Sequence, residues 1–381
     1  MNRREVKSAP VLRFKGFTND WEQRKLGKIV KIIGGGTPST SNSNYWNGDI
    51  NWYSPTEIGK KNFIFTSKKK ITKLGLQHSS AKILPGKQTI LFTSRAGIGD
   101  MAIMQTDGCT NQGFQSWVIE NNSVNIYFLY SLGKNIKKEA IRKASGSTFL
   151  EISNKEVKKI PLFIPSKHEQ DKLGKLLLVL DNLLSLQQRK LESFQFTYHE
   201  IIRRLFLKKA KWQQTKLSDL VTILDKNRKP VKKEDRLFGD TPYYGANGIQ
   251  DYISGFTHKG EFILIAEDGA NSLTEYPIYF VKGQIWVNNH AHVLKVNKDV
   301  SPLFLALALK QINYSKYTVG SSRNKLNLKD LENIAIFIPD NNEQQKIGQF
   351  YSNYLNYLRI NKKRIQYMKQ FKQFLLQNMF I

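Results

Sequence analysis

The sequence predicts an α+β protein in which two mixed α/β domains are separated by two long antiparallel coiled-coil helices, so that the chain is a pseudo-two-fold internal repeat. Three observations predict this fold class. One phrase is written twice, as IPLFIPSKHEQDKLG at 160–174 and IAIFIPDNNEQQKIG at 334–348. A heptad pattern of apolar residues follows each copy. Strand-like runs rich in branched and aromatic residues precede each copy.

The duplication extends beyond this phrase. Residues 145–160 align with 319–334 at the same separation of 174, whereas WEQRKL at 21–26 and WQQTKL at 212–217 lie 191 residues apart. The intervening stretch is therefore 17 residues shorter in the second copy, and its two versions look unrelated. This pattern indicates a repeated scaffold that holds two divergent inserts, and divergent inserts usually carry specificity. The predicted segments are a first domain, a long helix, a second domain and a second long helix, at 1–165, 166–210, 211–339 and 340–381.

Within the inserts, the residue types indicate both strands and helices. The segments 87–95, 261–268 and 283–296 are predicted as strands because they are rich in branched and aromatic residues. The segments 126–141 and 301–312 are predicted as helices that lead into the turns containing Gly and Ser. Each copy is therefore expected to consist of a globular domain, a turn, a strand and a long helix.

The start of each long helix carries a capping signal. Pro165 and Pro339 end a strand-like run, and S-x-x-E at 166–169 or D-x-x-E at 340–343 follows, which is the pattern of a capping box. The proline-free run from 167 to 207 contains 41 residues. As a helix it would span roughly 60 Å, at about 1.5 Å per residue.

Each long helix carries an apolar stripe at alternating steps of three and four residues, which is typical of coiled coils. Gln187 interrupts the first stripe, and Asn361 stands at the matching position of the second, where Lys372 is a further exception. We expect the helices to pack on each other, with Gln187 and Asn361 inside the seam. The apolar members are Leu177, Leu180, Leu184, Leu191, Phe194, Tyr198, Ile201 and Leu205, then Tyr351, Tyr354, Leu358, Ile365, Met368, Leu375 and Met379.

Composition indicates a polyanionic partner. The 381-residue chain has 59 Lys and Arg against 31 Asp and Glu, a net charge of +28. Nucleic acid is the first candidate partner and an anionic membrane the second. No run of 18 apolar residues occurs, and the first residues lack the apolar stretch of a signal peptide. Cys109 is the sole cysteine, which excludes a disulfide framework and favours a cytoplasmic protein with one inert thiol.

Familiar catalytic and cofactor motifs are missing from the sequence. It contains no phosphate-binding G-x-x-x-x-G-K-[ST] and no G-x-G-x-x-G after a strand, so an S-adenosylmethionine pocket is not expected. The Asn- or Asp-Pro-Pro-aromatic tetrapeptide of adenine methyltransferases is also absent. His290 and His292 share one strand face without an adjacent Cys or carboxylate, which favours a structural role over metal ligation. We therefore predict no catalytic residue, no metal and no cofactor of the chain's own.

The chain resembles the specificity (S) subunit of type I restriction–modification systems in three features. These are the repeated anchor segments (21–26 with 212–217, and 160–174 with 334–348), the "P…EQ" motif at the start of each long helix, and the divergent inserts. The resemblance covers nearly the whole chain, from LRFKGFTNDWEQRKLG at 12–27 to the last helix. It departs at Lys372 and at SGST in the first half, which lacks the Arg of GSSRNK. It implies that two target-recognition domains each read half of a split double-stranded DNA site. It also implies a non-catalytic scaffold for two methyltransferase subunits and, through them, the restriction subunits, with S-adenosylmethionine, ATP and Mg on those partners.

Base edges are read by polar and cationic side chains, and stacking requires aromatic ones. Tyr45 and Trp46 are equally compatible with packing on their own loop, and the Asn247-Gly pair is also typical of a turn. The serines and cations after the matched glycines either hold phosphates or form a plain turn. With these alternatives open, the candidate DNA-binding residues are Thr37, Ser39, Tyr45, Trp46, Arg95 and Ser147 in the first half, and Arg228, Tyr243, Tyr244, Asn247, Ser321, Arg323 and Lys325 in the second.

Two other functions remain open on the sequence. A stand-alone DNA-binding regulator would bind its site tightly without partners, whereas a specificity subunit would need methyltransferase subunits. An enzyme acting on nucleic acid would require a carboxylate or metal constellation, which the sequence does not display. The residues do not reveal the DNA target sequence or the spacer length.

Overall fold

The computed structural model describes residues 9–120, 122, 124–146, 150–207, 212–320 and 324–381. The chain divides into two compact units. The first unit is Met1–Gln187 with Ile365–Ile381, and the second is Gln188–Arg364. Each unit therefore contains a globular domain and one stretch of each long helix.

In the described part of the chain, the first domain is built from short strands with four short α-helices, and the first long helix follows it. The strands are β1 (Glu22–Lys25), β2 (Lys31–Gly34), β3 (Trp46–Tyr53), β4 (Phe63–Ile64), β5 (Lys69–Ile71), β6 (Thr89–Phe92), β7 (Met101–Met104), β8 (Gly108–Thr110), β9 (Gln115–Val118) and β10 (Pro161–Ile164). The helices are α1 (Lys73–Gln77), α2 (Ile126–Ser131), α3 (Gly133–Lys143), α4 (Asn154–Lys158) and the long α5 (Lys167–Leu207).

The second domain has longer strands and fewer helices, and the second long helix follows it. The strands are β11 (Gln213–Lys216), β12 (Val221–Ile223), β13 (Phe238–Gly245), β14 (Gly248–Ile253), β15 (His258–Ala266), β16 (Ile278–Val287), β17 (Ala291–Val296), β18 (Thr318–Val319), β19 (Lys325–Leu326) and β20 (Ala335–Ile338). The helices are α6 (Pro302–Leu309), α7 (Leu328–Glu332) and the long α8 (Asn341–Asn378).

Both domains share one sheet topology, although their sequences look unrelated. The strand order is β2-β9-β6-β7-β4 in the first and β12-β17-β15-β16-β13 in the second. In each, the first four strands are antiparallel and the fifth pairs in parallel. The second domain adds β14 at the edge, and the first adds a separate sheet of order β5-β3-β8. The predicted repeat of mixed α/β domains is confirmed, and it extends into the inserts.

The repeated anchors of each copy pair with each other. β1 is antiparallel to β10 with Glu22 opposite Ile164, and β11 is antiparallel to β20 with Gln213 opposite Ile338, which is the same register. In each copy, the segment that repeats at a separation of 191 residues therefore pairs with the segment that repeats at a separation of 174 residues. The tryptophan before each ladder, Trp21 or Trp212, is buried in the core of its domain. The repeated segments thus join the start of each domain to its end by strand pairing, directly before its long helix begins.

The glutamine and glycine of each repeated phrase explain why the phrase recurs. Gln344 donates to the Pro339 carbonyl at 3.0 Å and accepts from the Ser301 amide at 3.0 Å, where Ser301 caps α6. In the first unit, Gln170 makes the same two contacts at 2.9 and 3.0 Å, with Pro165 and with the residue that caps α2. A Cβ at Gly174 would lie 2.3 Å from the side-chain oxygen of that cap. The repeated residues therefore fasten the long helix to the N-terminus of a domain helix.

The predicted capping boxes form only in part. Ser166 accepts from the amide of Glu169 at 3.4 Å, and Asp340 accepts from the amide of Glu343 at 2.9 Å. The Glu169 carboxylate, however, is 1% exposed and forms a two-pronged ion pair with Arg13 at 2.7 and 2.8 Å. The second unit departs from this arrangement because Glu343 is exposed.

The long helices run antiparallel within the second unit. Phe194 contacts Tyr357 with ring centroids 4.1 Å apart, and Tyr198 stacks on Tyr354 at 3.4 Å, so the residue numbers rise on α5 as they fall on α8. The predicted stripe drifts at the end of α5, where Ile201 is 44% exposed and the next residue is buried. An α-helix has 3.6 residues per turn, so it leaves a heptad register unless it supercoils.

The polar interruptions of the stripes fit the predicted seam. Gln187 and Asn361 are each half-buried in their own units. Lys372 pairs with Asp181 at 2.5 Å in the first unit, and Asp181 also accepts a hydrogen bond from the Tyr127 hydroxyl at 2.6 Å. Lys372, the charged exception in the second apolar stripe, is therefore paired with a carboxylate.

Two predicted elements are wrong in their extent. The strand expected at 283–296 is two strands, because Asn288 accepts from the amide of His290 at 2.8 Å and forms a side-chain-closed turn. The helix expected at 126–141 is interrupted at Leu132. The next residue, Gly133, lies so near Met101 that a Cβ would be 1.9 Å from its terminal methyl carbon. Among the helices in the described ranges, none has both the length and the hydropathy needed to cross a lipid bilayer.

Candidate nucleic-acid interface

Three loops of the first domain meet at one edge of its sheet. Gly36 donates to the Thr110 carbonyl and Ser94 donates to the Gly113 carbonyl, each at 2.8 Å. These bonds join the loops that follow β2, β6 and β8. Thr37, the next residue along the first loop, bonds through its hydroxyl to the Gln112 side chain. The predicted residue Thr37 thus lies beside an amide that the sequence did not single out.

Arg95 is the cation of this edge. It follows β6 at the start of a tight turn in which Ala96 has a φ of 52° and Gly97 a φ of 108°. A left-handed alanine is strained, and such strain often marks a functional turn. Arg95 is half-buried, and its guanidinium has no hydrogen bond or ion pair to any residue in the described ranges. An unpaired guanidinium on a rigid turn is suited to binding a phosphate or the edge of a guanine.

The aromatic candidates of the first domain are engaged within the domain. The Trp46 indole donates to the Ser39 carbonyl at 3.0 Å and packs edge-on against Trp52 at 5.1 Å. Tyr45 stacks on His78 with ring centroids 5.5 Å apart. Both aromatic rings therefore shape their loop, and the exposed side chain of Ser39 remains at its surface.

Arg228, predicted to bind DNA, is ion-paired inside the second domain. Its Nη1 donates to Glu267 at 2.6 Å and to the Ala291 carbonyl at 2.9 Å, and its Nη2 lies 3.4 Å from Asp225. The side chain is 16% exposed. Its neighbours Lys226 and Lys229 are exposed instead. The loop that carries Arg228 therefore exposes these lysines to solvent, whereas Arg228 itself stabilises the loop through contacts within the domain.

Tyr243 and Tyr244 are also part of the domain's interior. Tyr243 is 1% exposed, and its hydroxyl accepts from the amide of Val231 at 3.0 Å. Arg236 lies over its ring at 4.2 Å, a cation–π contact. Tyr244 is half-buried against the second cluster of apolar residues in this domain, and burial raises the pKa of its hydroxyl.

Asn247 is exposed and joins two loops. Its side chain donates to the Gly269 carbonyl at 2.9 Å and accepts from the amide of Asn271 at 3.0 Å. Lys325 is exposed on β19, which the isolated bridge between Lys325 and Asp268 ties to the same edge. Asn247 and Lys325 thus belong to one edge of the second domain. The remaining candidates, Ser147, Ser321 and Arg323, lie outside the described residues.

One cluster has the residue types of a metal site. Ligand atoms of Asp225, Glu267 and His292 lie within 4.8 Å of one another. Both carboxylates already have partners: Arg228 donates to Glu267 at 2.6 Å, and the imidazole Nδ1 of His292 lies 2.5 Å from Asp225. The carboxylates come from distant parts of the sequence, which is why the sequence alone showed His292 without an acidic neighbour. These contacts fit an ion-paired network rather than an open cation site.

Comparisons with known proteins support the repeat. The family model of the type I restriction modification DNA specificity domain matches residues 18–194 and again 209–370. A Haemophilus influenzae protein named as a type I restriction enzyme specificity subunit is 44% identical over 131 residues, which cover 34% of each chain.

Two further comparisons span nearly the whole chain. The type I restriction enzyme MjaIX specificity subunit of Methanocaldococcus jannaschii is 26% identical over 94% of this chain and 92% of its own. The crystal structure of a type I restriction–modification S subunit from M. genitalium superposes with a TM-score of 0.70 at 17% identity, covering 98% of this chain and 99% of the other. With two matched repeats and a shared fold, the chain belongs to the family of type I restriction–modification DNA specificity subunits.

Proposed function

We propose that this protein recognises a split double-stranded DNA site for a type I restriction–modification complex, with one domain for each half of the site. The observation that carries the proposal is the shared sheet topology of two domains whose edges carry different residues. A common framework with divergent loops is suited to reading two different sequences in similar ways. The net charge of +28 supplies the sequence-independent attraction to phosphates.

The chain itself is proposed to be non-catalytic. Methyl transfer and cleavage would be carried out by two methyltransferase subunits and by restriction subunits that join through them. S-adenosylmethionine, ATP and Mg would then bind to those partners, and the complex would act in the cytoplasm. The support for this assignment is the family membership together with the contacts that already engage the acidic cluster, from Arg228 to Glu267 and from His292 to Asp225.

The long helices of the first unit offer a surface for such a partner. Val179, Leu183 and Leu186 on α5 are 46%, 41% and 54% exposed, at the spacing of one helix face. Tyr367, Phe371 and Phe374 form a similar row on α8, with 64%, 51% and 51% exposure. Exposed rows of large apolar side chains mark interaction surfaces, and the helix face of another protein is a suitable occupant.

Coexpression with methyltransferase subunits tests this assignment. We expect the wild-type chain to copurify with them and to bind specific DNA tightly only as the complex. Replacement of Leu183 and Phe371 by Glu should abolish copurification, because it places two charges in an apolar contact. Replacement of the exposed Lys190 by Glu is the control and should not abolish it. Tight specific binding by the isolated chain would favour a stand-alone regulator instead.

A further inference from the structure

Each unit has a cleft at the same place in its fold. In the first unit, a cleft of about 330 Å³ lies between the start of β7, the junction of α2 with α3, and both long helices. In the second unit, a cleft of about 790 Å³ lies between the start of β16, the end of α6, and both long helices. The repeated fold therefore forms this cleft twice, as it forms the ladders and the sheets twice.

The lining residues of the two clefts correspond in position. β7 and β16 hold the same place in the shared strand order, and their first residues, Met101 and Ile278, both line a cleft. On the long helices, Lys372 of the first cleft matches Tyr198 of the second at the repeat separation of 174 residues. The two clefts are therefore equivalent parts of the repeat.

The walls of the two clefts differ in chemistry. In the first cleft, Lys372 pairs with Asp181 at 2.5 Å. In the second cleft, Tyr198 stands at the position of Lys372 and stacks on Tyr354 with ring centroids 3.4 Å apart. A ligand that both clefts bind would therefore be recognised by a feature other than these walls.

One lysine is common to both clefts. The segments FLYSLGKNI at 128–136 and FLALALKQI at 304–312 match, and each has a lysine at its seventh position, Lys134 or Lys310. Both lysines line their clefts and are exposed. Among the residues that the structure describes, neither ammonium has a hydrogen bond or an ion pair. The repeated lysine is thus available to a ligand in each unit.

The charge of the nearest helix end does not explain the repeated lysine. Lys310 is the C-cap residue of α6, where a cation is favourable beside the last carbonyls. Lys134 lies in the first turn of α3, where the positive end of the helix disfavours a cation. The lysine recurs although its effect on the nearest helix changes sign, which indicates a role outside the helix.

The described lining of the first cleft contains one more lysine than it contains carboxylates. Lys137 pairs with Asp100 at 2.6 Å. Lys372 pairs with Asp181, as described above. Lys134 is the lysine that these two pairs leave over, so the first cleft has one cation available for an anionic group.

The described lining of the second cleft also contains one lysine in excess. It includes Lys310 and Lys362 with the carboxylate of Glu275. Desolvation by the surrounding walls lowers the pKa of Lys310 and the charge of Glu275 opposes this shift, while the lysine side chain stays accessible to solvent. A cation that is accessible but poorly hydrated is suited to binding a carboxylate, because their attraction is less screened.

Apolar surface adjoins both clefts and indicates a protein ligand. Phe371, next to Lys372 in sequence, is 51% exposed. Leu355, which lines the second cleft, is 39% exposed, and Phe196 on α5 is 71% exposed. DNA phosphates could pair with the lysines, but they would leave these apolar side chains in water, whereas a protein partner would bury them. The clefts therefore favour a protein that presents a carboxylate.

We propose that Lys134 and Lys310 each bind a carboxylate of a methyltransferase subunit, so that two identical subunits place the same acidic segment in the two clefts. The proposal rests on the proposed function, which supplies two copies of one partner. A chain with an internal pseudo-two-fold repeat can offer one shared contact to both copies. The lysine supplies this shared contact, and the walls around it differ between the units.

Zero-length cross-linking of the assembled complex tests the contact directly. A water-soluble carbodiimide condenses a lysine amine with a carboxylate into an amide and takes up the water as a urea, so it joins groups that lie in contact. We expect mass spectrometry to find Lys134 and Lys310 joined to the same acidic residue of the methyltransferase subunit. Cross-links from the two lysines to unrelated segments, or none from either lysine, would overturn the proposal.

Charge reversal tests what each lysine contributes to assembly of the full chain with two methyltransferase subunits, measured by titration in mass photometry. We expect Lys134→Glu and Lys310→Glu each to weaken assembly on the order of tenfold, and the double variant on the order of a hundredfold, because the clefts act independently. Lys138→Glu and Lys316→Glu are the matched controls, since both lysines are exposed and lie outside the cleft linings. The controls should change assembly by less than about threefold.

Thermal unfolding of the isolated chain separates a lost contact from a lost fold. Lys134 and Lys310 are exposed, so both variants should melt at the temperature of the wild type. Weaker assembly that accompanies a lower melting temperature would show a structural role, and unchanged assembly with weaker DNA binding would place the lysines on DNA. Either result overturns the proposal and leaves the proposed function standing. If the wild-type chain does not assemble with methyltransferase subunits, the proposed function itself fails.

Discussion

At the scale of single residues, the repeated glutamine shows why a short phrase recurs in this chain. Gln344 is 4% exposed and pairs with two backbone groups that would otherwise be buried without partners. Its neighbour Gln345 is exposed, and among the described residues its side chain bonds only within the helix, to Asn341. The repeat in the sequence matches Gln170 to Gln344, but their partners Asn125 and Ser301 lie too far away along the chain to be inferred.

Replacement of Gln344 by Leu should lower the free energy of unfolding of the second unit by about 2–4 kcal/mol, because it leaves an amide and a carbonyl unpaired. Gln345→Leu is the matched control, and it should change this free energy by less than about 0.5 kcal/mol. Urea denaturation followed by circular dichroism measures both variants. Equal effects of the two substitutions would contradict the role assigned to the buried glutamine.

Two arginines that looked equivalent in sequence have different surroundings. Arg95→Ala should leave stability nearly unchanged and weaken binding to specific DNA by about 1–3 kcal/mol, since a base or phosphate contact is lost. Arg228→Ala should instead destabilise the second unit by about 2–3 kcal/mol, because Glu267 and Asp225 lose their partner. Thermal unfolding and fluorescence anisotropy on the same preparations distinguish these outcomes. A destabilised Arg95 variant with unchanged affinity would remove Arg95 from the proposed interface.

At the scale of elements, the sequence predicted the long helices, their antiparallel pairing and several strands, but not the order of the strands in the sheets. Residues 261–268 are rich in branched and aromatic residues, as a strand should be, and β15 covers them as far as Ala266. The sheet order could not be predicted, because strand pairing depends on contacts between residues that are distant in sequence. For the same reason Arg228 and Tyr243 were expected to bind DNA, although their partners turn them inward.

The ion pair within the helix stripe gives a prediction at this scale. Lys372→Met should destabilise the first unit by about 1–3 kcal/mol, because the Asp181 carboxylate, with its side chain 11% exposed, loses its cation. Adding Asp181→Asn should restore most of the loss, since an amide still accepts from the Tyr127 hydroxyl. Chemical denaturation of the wild type, both single variants and the double variant gives the free energies of unfolding for a double-mutant cycle. Additive losses would show that the two side chains do not interact.

At the scale of the whole molecule, the chain consists of one structural plan used twice. The paired anchors have the same register in both units, and the five-stranded order is shared. The differences lie at the edges of the sheets, where the first domain presents Arg95 and the second a charge network. We therefore expect each unit to carry its own recognition function on a common framework.

Exchange of one insert tests this account most directly. Residues 212–320 are replaced by the equivalent segment of a related specificity subunit, and methylated adenines are mapped across the genome of cells that carry the complex. The account predicts that one half of the methylated site changes while the other half and the spacer stay the same. Loss of both halves, or an altered spacer with unchanged halves, would contradict the claim that each domain reads its own half of the DNA site.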